Sequence, residues 1–189
     1  MKKTLVFIDA GFLSKLSKYF GRGKYLKFDI IKLSKRLAGK QNLELKHVYY
    51  YTAPPFQSSK PNDDERHRRE NYDYFIGKLS GNEIITIREG RCQKIVEGGK
   101  ATYHQKGVDT LLTMDLMNVP IRQKDVSKII LIACDSDFVP VIRNLEDLGV
   151  KTLLYIYFDK LRDSNFSTSN QLINCVSEHV QLRKSDFIR

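Results

Sequence analysis

IACDSDFVP, residues 132 to 140, closes an apolar run, KIILIAC (128–134), with two carboxylates, Asp135 and Asp137. A short unbroken apolar run of this kind reads as a strand buried on both faces. The residues after it, Val139 to Leu148, keep helical spacing until Gly149 stops them. TLVFID (4–9) has the same form and also ends on an acid, Asp9, while VKTLLYIYF (150–158) is a third buried strand. Such strands alternating with helices predict an α/β fold, a three-layer α/β/α sandwich around a mainly parallel sheet.

The remaining segments extend this frame in both directions. FDIIKLSKRLA (28–38) and the stretch from Val108 to Leu116 carry helical spacing, LELKHVYYY (43–51) and IITIRE (84–89) read as strands, and RCQKIVEGGKATYHQ (91–105) is a pair of short strands turning at Gly98 and Gly99. TAPPFQSSKPNDDERHRRE (52–70) has the prolines, serines and charges of an exposed, mobile loop running into a helix at 70–79. SNQLINCVSEHVQL (169–182) suggests a last helix and a short strand, and no linker divides the chain, so one domain over 1–189 is expected.

Composition excludes several classes of function. Apolar residues make up 41% and charged residues 29%, and no apolar segment reaches the roughly 20 residues that span a bilayer, so no membrane partner is expected. MKKTLVFIDAGF at the start holds Asp9 within its apolar run and lacks a small-residue cleavage site, which argues for a strand rather than a signal peptide and for a cytoplasmic protein. Cys92, Cys134 and Cys175 form no C-x-x-C pair and His47, His67, His104 and His179 no H-x-x-x-H pair, so a disulfide or zinc site is not indicated. The formal charge of +10 favours a polyanionic partner, with nucleic acid the first candidate; a merely solubilising basic surface would look the same.

Asp9 and Asp135 terminate two strands. In open parallel sheets ligands bind beyond the carboxyl ends of the strands, where the strand order reverses, so the two acids converge if their strands are neighbours. Asp109 opens the helical stretch QKGVDTLLTMDL (105–116), and Asp115 lies six residues on, about 120° around the helix, at the edge of any site. An Asp at a strand-to-helix turn is also a favoured N-cap worth about 1 kcal/mol, and Ser136 or Asp137 could cap the helix that follows. Several acids gathered in one place are harder to explain that way, because like charges about 4 Å apart repel by ~4 kcal/mol at an effective dielectric of 20. Such a cluster needs a cation or raised pKa values, and hard oxygen donors suit Mg²⁺ or Mn²⁺.

In order and spacing, IDAGF, KGVDTLLTMDL and ACDSDFVPVIRNLEDLGV resemble the NYN domain of the LabA-like group, a PIN-like nuclease fold, and SNQLINCVSEHVQL is similar to that family's C-terminal S-x-x-L helix and strand. The resemblance implies a Rossmann-like (PIN-like) parallel sheet carrying a metal-dependent endoribonuclease site, with catalytic Asp9, Asp109, Asp135 and Asp137. The first three would hold Mg²⁺ or Mn²⁺, and Asp115, Ser136 and Lys106 would support them. Three positions depart from the pattern. Phe12 stands where the family often has Asn, Cys134 where Gly or Ser usually precedes D-S-D, and Ser177 at a position often filled by Asp. The alternative is a noncatalytic RNA-binding or regulatory module on the same fold.

For RNA, the basic candidates are Lys15, Lys18, Arg22 and Lys24 after the first strand and Arg66, Arg68 and Arg69 beside the loop. Tyr25, Phe56, Tyr72 and Tyr103 lie among them and could stack on unpaired bases, although burial is the commoner fate of an aromatic ring. A homo-oligomer is compatible with the sequence. Gly11, two residues after Asp9, removes the second Asp that a haloacid-dehalogenase-type phosphatase needs. No G-x-G-x-x-G follows the first strand and no P-loop motif is present.

Overall fold

The computed structural model describes residues 1–158, 166 and 170–188. The chain runs from β1 (Lys2–Asp9) through α1 (Ala10–Phe20) and α2 (Ile30–Gly39) to β2 (Leu43–Thr52), then through α3 (Asp63–Ser80) to β3 (Ile85–Glu89). A hairpin of β4 (Arg91–Glu97) and β5 (Lys100–Lys106) follows. Next come α4 (Val108–Arg122), β6 (Lys128–Ile132), a short 3-10 turn (Ser136–Phe138), α5 (Val139–Asp147) and β7 (Lys151–Ile156). The last described elements are α6 (Asn170–Cys175), β8 (Glu178–Gln181) and α7 (Lys184–Phe187).

Among the described residues six strands form one sheet in the order β3-β2-β1-β6-β7-β8, and every adjacent pair is parallel. The chain builds outward from β1 to β3, then returns to the other side of β1 and builds outward again from β6 to β8. The strand order therefore reverses between β1 and β6, which is where a parallel sheet opens a crevice at its carboxyl edge. The β4–β5 hairpin stands outside this sheet as an antiparallel ribbon.

Burial explains why the apolar runs become the central strands. Leu5 to Ile8 of β1 and Ile129 to Ile132 of β6 are fully buried, and each such side chain contributes about 1.5–3 kcal/mol by leaving water. Helices cover both faces. At the end of β2, Tyr51 donates its hydroxyl hydrogen to Asp115 of α4 at 2.9 Å, whereas Tyr50 turns its ring toward Phe75 of α3, 6.1 Å between centroids. The opposite directions of adjacent tyrosines follow from the period of two in a strand. From β7, Tyr155 donates to the Leu37 carbonyl of α2 at 3.0 Å. The α/β fold expected from the sequence is the fold observed.

Three local readings are corrected or completed. Residues 10–20, which carry the basic candidates Lys15 and Lys18 and have no element assigned from sequence, are the helix α1, with Phe12, Leu13 and Leu16 packed into the core. Helix α3 begins at Asp63 rather than near residue 70, because Asn62 and Glu65 form a reciprocal capping box. Glu65 is itself buried and accepts from the Ser58 hydroxyl at 2.6 Å, while Gln57 donates to the Glu65 carbonyl at 2.6 Å. The segment before α3, expected as a mobile loop, is thus tied to the helix it precedes. Helix α4 runs on to Arg122, past its expected end at Leu116, with Pro120 in its last turn. No helix among the described residues is long and apolar enough to cross a membrane.

Candidate active site

Asp9 is the last residue of β1, and Ile8 pairs with Ile132 of β6, so Asp9 lies level with Ala133 and Asp135 follows two residues on. Both acids also start helices. Asp9 Oδ1 accepts from the backbone N–H groups of Gly11 (2.8 Å) and Phe12 (3.3 Å), and Asp135 Oδ1 accepts from the N–H of Asp137 (2.9 Å). In each case the cap engages one carboxylate oxygen. The capping role weighed in the sequence is thus realised by both acids. Gly11 keeps this cap uncrowded, since a β-carbon at that position would lie 3.1 Å from Asp9 Oδ1, a tight contact.

Asp109 arrives from the other direction. Lys106 ends β5, Gly107 adopts φ 81°, a left-handed conformation open to glycine, and α4 then begins with Asp109 in its first turn. The charges of these acids act on one another. Asp9 is pushed up to about 6, mainly by burial and further by the charges of Asp109 and Asp135, against the opposing hydrogen bonds from Phe12 and Gly11. The Asp109 carboxyl is also raised, by desolvation and by Asp135 and Asp137. Among the described residues no Lys or Arg forms an ion pair with Asp9, Asp109, Asp135 or Asp137.

Cys134 stands at the same edge. Burial, with Asp9 and Asp135 beside it, pushes its thiol up to about 11, so at neutral pH the free thiol stays protonated. The remaining donors are hard oxygens, which fit Mg²⁺ or Mn²⁺ and not zinc. As the side chains stand, no three His, Cys, Asp or Glu residues among those described are gathered closely enough to hold an ion.

Other expected site residues lie elsewhere or have other partners. Asp115 accepts two hydrogen bonds from Arg88 (Nε 2.9 Å, Nη2 2.8 Å) and one from Tyr51, so it braces α4 against β2 and β3 and is not a free carboxylate at the crevice. Ser136 lies within the 3-10 turn between Asp135 and Asp137. Arg68 and Arg69 are paired with Asp64 and Asp73 of their own helix, and Arg66 with Asp63, which neutralises much of the charge that α3 was expected to offer RNA. Lys15 lies 5.3 Å from the centre of the Phe166 ring, and its charge reaches Cys134 at the crevice. Lys18 sits 6.0 Å over Tyr25. Arg22 holds φ 53° in the turn before Lys24.

The departures from the family pattern sort differently. Phe12 is buried in the core next to the Asp9 cap, so an apolar ring occupies the position where the family often has Asn. Ser177 is remote from the acids. It precedes β8 and donates to Glu146 at 2.6 Å, at the amino edge of the sheet, so its identity does not bear on the acidic crevice. The serine of the S-x-x-L piece, Ser169, lies outside the described residues. Sequence reasoning missed Gln105, whose side-chain oxygen lies 3.6 Å from where a β-carbon on Gly11 would be, at the same crevice. Its only signal was adjacency to Lys106.

A family model described as the NYN domain matches residues 3–183. Among solved structures, the chain resembles a protein of unknown function from Vibrio parahaemolyticus RIMD 2210633 at 19% identity and a TM-score of 0.59, covering 98% of this chain and 95% of that one. That likeness concerns the fold alone. A search of curated proteins finds no match.

Proposed function

Because the chain belongs to the NYN domain family, whose members are nuclease-like and bind RNA, we propose that it is a metal-dependent endoribonuclease of the LabA-like branch acting on single-stranded RNA in the cytoplasm. The observation that carries this reading is the end of β1 at Asp9 beside the β6 end that precedes Asp135, at the point of strand reversal, where burial and the charges of neighbouring acids raise Asp9 and Asp109 and no ion pair among the described residues engages them. A parallel sheet that serves only as scaffold would gain stability by replacing such acids.

Asp9, Asp109 and Asp135 would hold the divalent ion, Mg²⁺ or Mn²⁺, with Asp9 and Asp135 also capping the helices that follow them. When bound, such an ion lowers the pKa of water and stabilises charge on the leaving oxygen of a phosphodiester. Asp137 orients the attacking water and takes its proton as the water oxygen bonds to phosphorus and the bond to the departing sugar oxygen breaks. Lys106, Lys15, Lys18, Arg22 and Lys24 hold flanking phosphates, a role that positions the strand without reading its sequence. The three free cysteines of the described chain agree with a reducing compartment.

One observation favours the second reading, a noncatalytic RNA-binding module: Phe12 fills the position beside Asp9 where the family often carries Asn, and the acids are not drawn into an ion-holding set as they stand. Incubating purified protein with unstructured RNA separates the two. The nuclease degrades it with Mn²⁺ and stops with chelator or in Asp135→Asn. Equal trace activity in both proteins, with RNA still bound, establishes the module.

A further inference from the structure

Next to the acids the molecule has a cavity of about 730 Å³, within the ~300–1,000 Å³ range of small-molecule sites. Its floor is continuous with the crevice: Ala10 and Gly11, the two residues after Asp9, line it. We propose that this cavity receives an unpaired nucleobase of the RNA strand flanking the scissile phosphate, and so gives the enzyme a base preference. The proposal rests on the nuclease reading for the identity of its ligand and deepens it.

The lining has the chemistry such an occupant needs. Tyr25, Tyr50, Tyr72 and Phe75 supply aromatic surface. Tyr25 is 66% exposed, a large ring kept in solvent at the mouth. Rings offered in this way stack on bases of any identity, at ~1–3 kcal/mol per base. Lys27 stands on the lining as a cation for the adjoining phosphate, and the amides of Asn71 and Gln105 present both donors and acceptors to a base edge. The combination of flat apolar walls, amide groups and a cation next to a phosphodiester site matches a nucleotide better than a peptide or a lipid.

The cavity is also built before any ligand arrives. Its outer wall, the segment from Tyr25 to Phe28, is pinned by the Leu26 N–H, which donates to Ser17 Oγ of α1 at 2.9 Å. The turn that aims this segment needs Gly21, since a β-carbon there would lie 1.8 Å from the Lys24 carbonyl oxygen. On the inner side, Tyr72 donates to Glu89 at 2.5 Å, which fixes its ring. Ordering costs that would erode affinity are thereby already met within the fold.

The test uses a short single-stranded oligonucleotide carrying 2-aminopurine, titrated into the protein in chelator so that nothing is cut. Ser14 is exposed on α1 and lines the cavity, and Ser14→Phe fills it without disturbing the core; Asn71→Phe fills it independently from α3. The expected result is quenching of the 2-aminopurine by wild type, with quenching lost and Kd raised about ten-fold in both variants, the size of one stacked base. A strand abasic at that position should bind wild type and variants equally. Quenching and affinity unchanged by both substitutions, or no binding of the strand at all, overturns the proposal. Cleavage with Mn²⁺ is read separately. Wild type and variants cutting at equal rates and equal positions sinks the cavity's role while the nuclease reading stands; quenching that the variants abolish, in a protein that never cuts, supports the cavity and sinks the nuclease reading.

Discussion

The two edges of the same sheet treat carboxylates in opposite ways. At the amino edge Asp125 is bound by Lys46 at 2.6 Å and Lys3 at 3.5 Å, and Glu178 by Lys128 at 2.8 Å. Glu146 there receives the Ser177 hydroxyl, the Thr152 N–H at 2.8 Å and Lys151 at 3.2 Å. Although burial pushes Glu146 upward, these partners outweigh it and hold its carboxyl below the usual range, and Lys46 does the same for Asp125. At the carboxyl edge burial and the charges of neighbouring acids drive Asp9 and Asp109 the other way. The amino-edge acids are neutralised by neighbours within the fold, whereas Asp9 and Asp109 have no ion-pair partner among the described residues, the condition the proposed metal site requires.

The sharpest way to break this contrast is to exchange one acid at each edge for its amide. Asp135→Asn retains a capping side chain and should cost at least about 10²-fold in Mn²⁺-dependent RNA cleavage, since even indirect partners of a metal are worth 10–100-fold; Glu146→Gln should leave cleavage intact. Equal loss of rate in both would mean that the edges do not differ in function.

Divalent ion should next raise the thermal midpoint of wild type by about 5–10 °C at 100-fold excess over Kd, from ~2.7 kcal/mol of linkage in a chain of this size. Asp9→Asn should remove that rise. A pH series sharpens the same point. Free of metal, the folded protein binds more protons than the unfolded chain between pH 3.8 and about 6 because Asp9 is raised, so stability is fully present below that window and is lost as pH climbs through it, by at most about 3 kcal/mol. Asp9→Asn should flatten this slope in metal-free denaturant melts.

Glu146 has the opposite sign: its stabilisation is present at neutral pH and is lost as pH falls through its lowered folded value. Glu146→Gln should lower stability at pH 7 by about 1–3 kcal/mol, the scale for hydrogen bonds to a charged group. Asp125→Asn, on an exposed pair, should leave the thermal midpoint unchanged, and a measurable drop would show that surface pairing there matters more than exposure allows.

The central strands were legible because they are buried on both faces and no other element of their length is so uniformly apolar. Asp9, Asp109 and Asp135 were legible as strand-end and helix-start acids, for the same reason. Sequence spacing could not say at which edge a residue falls, because that depends on strand direction and order. Ser177 and Glu146 are the example: each is polar beside an apolar strand, as Asp135 is, yet they meet at the far side of the sheet. Asp115 was misjudged because the 120° separation on α4 gave its direction but not the guanidinium of Arg88 waiting there. Helix α1 was obscured by its lysines, although Asp9 as cap and Phe12, Leu13, Leu16 and Phe20 at helical spacing carried the signal.

The outward-then-return path of the strands divides the site between two stretches of chain. Asp9 belongs to the first, Asp109, Asp135 and Asp137 to the second, and the Gly98–Gly99 turn of the outlying ribbon separates them. Severing the backbone at that turn would leave each fragment with part of the acid set, and RNA cleavage would reappear only when the halves found one another. The fold thus supplies a natural split reporter, with its seam placed away from the central sheet.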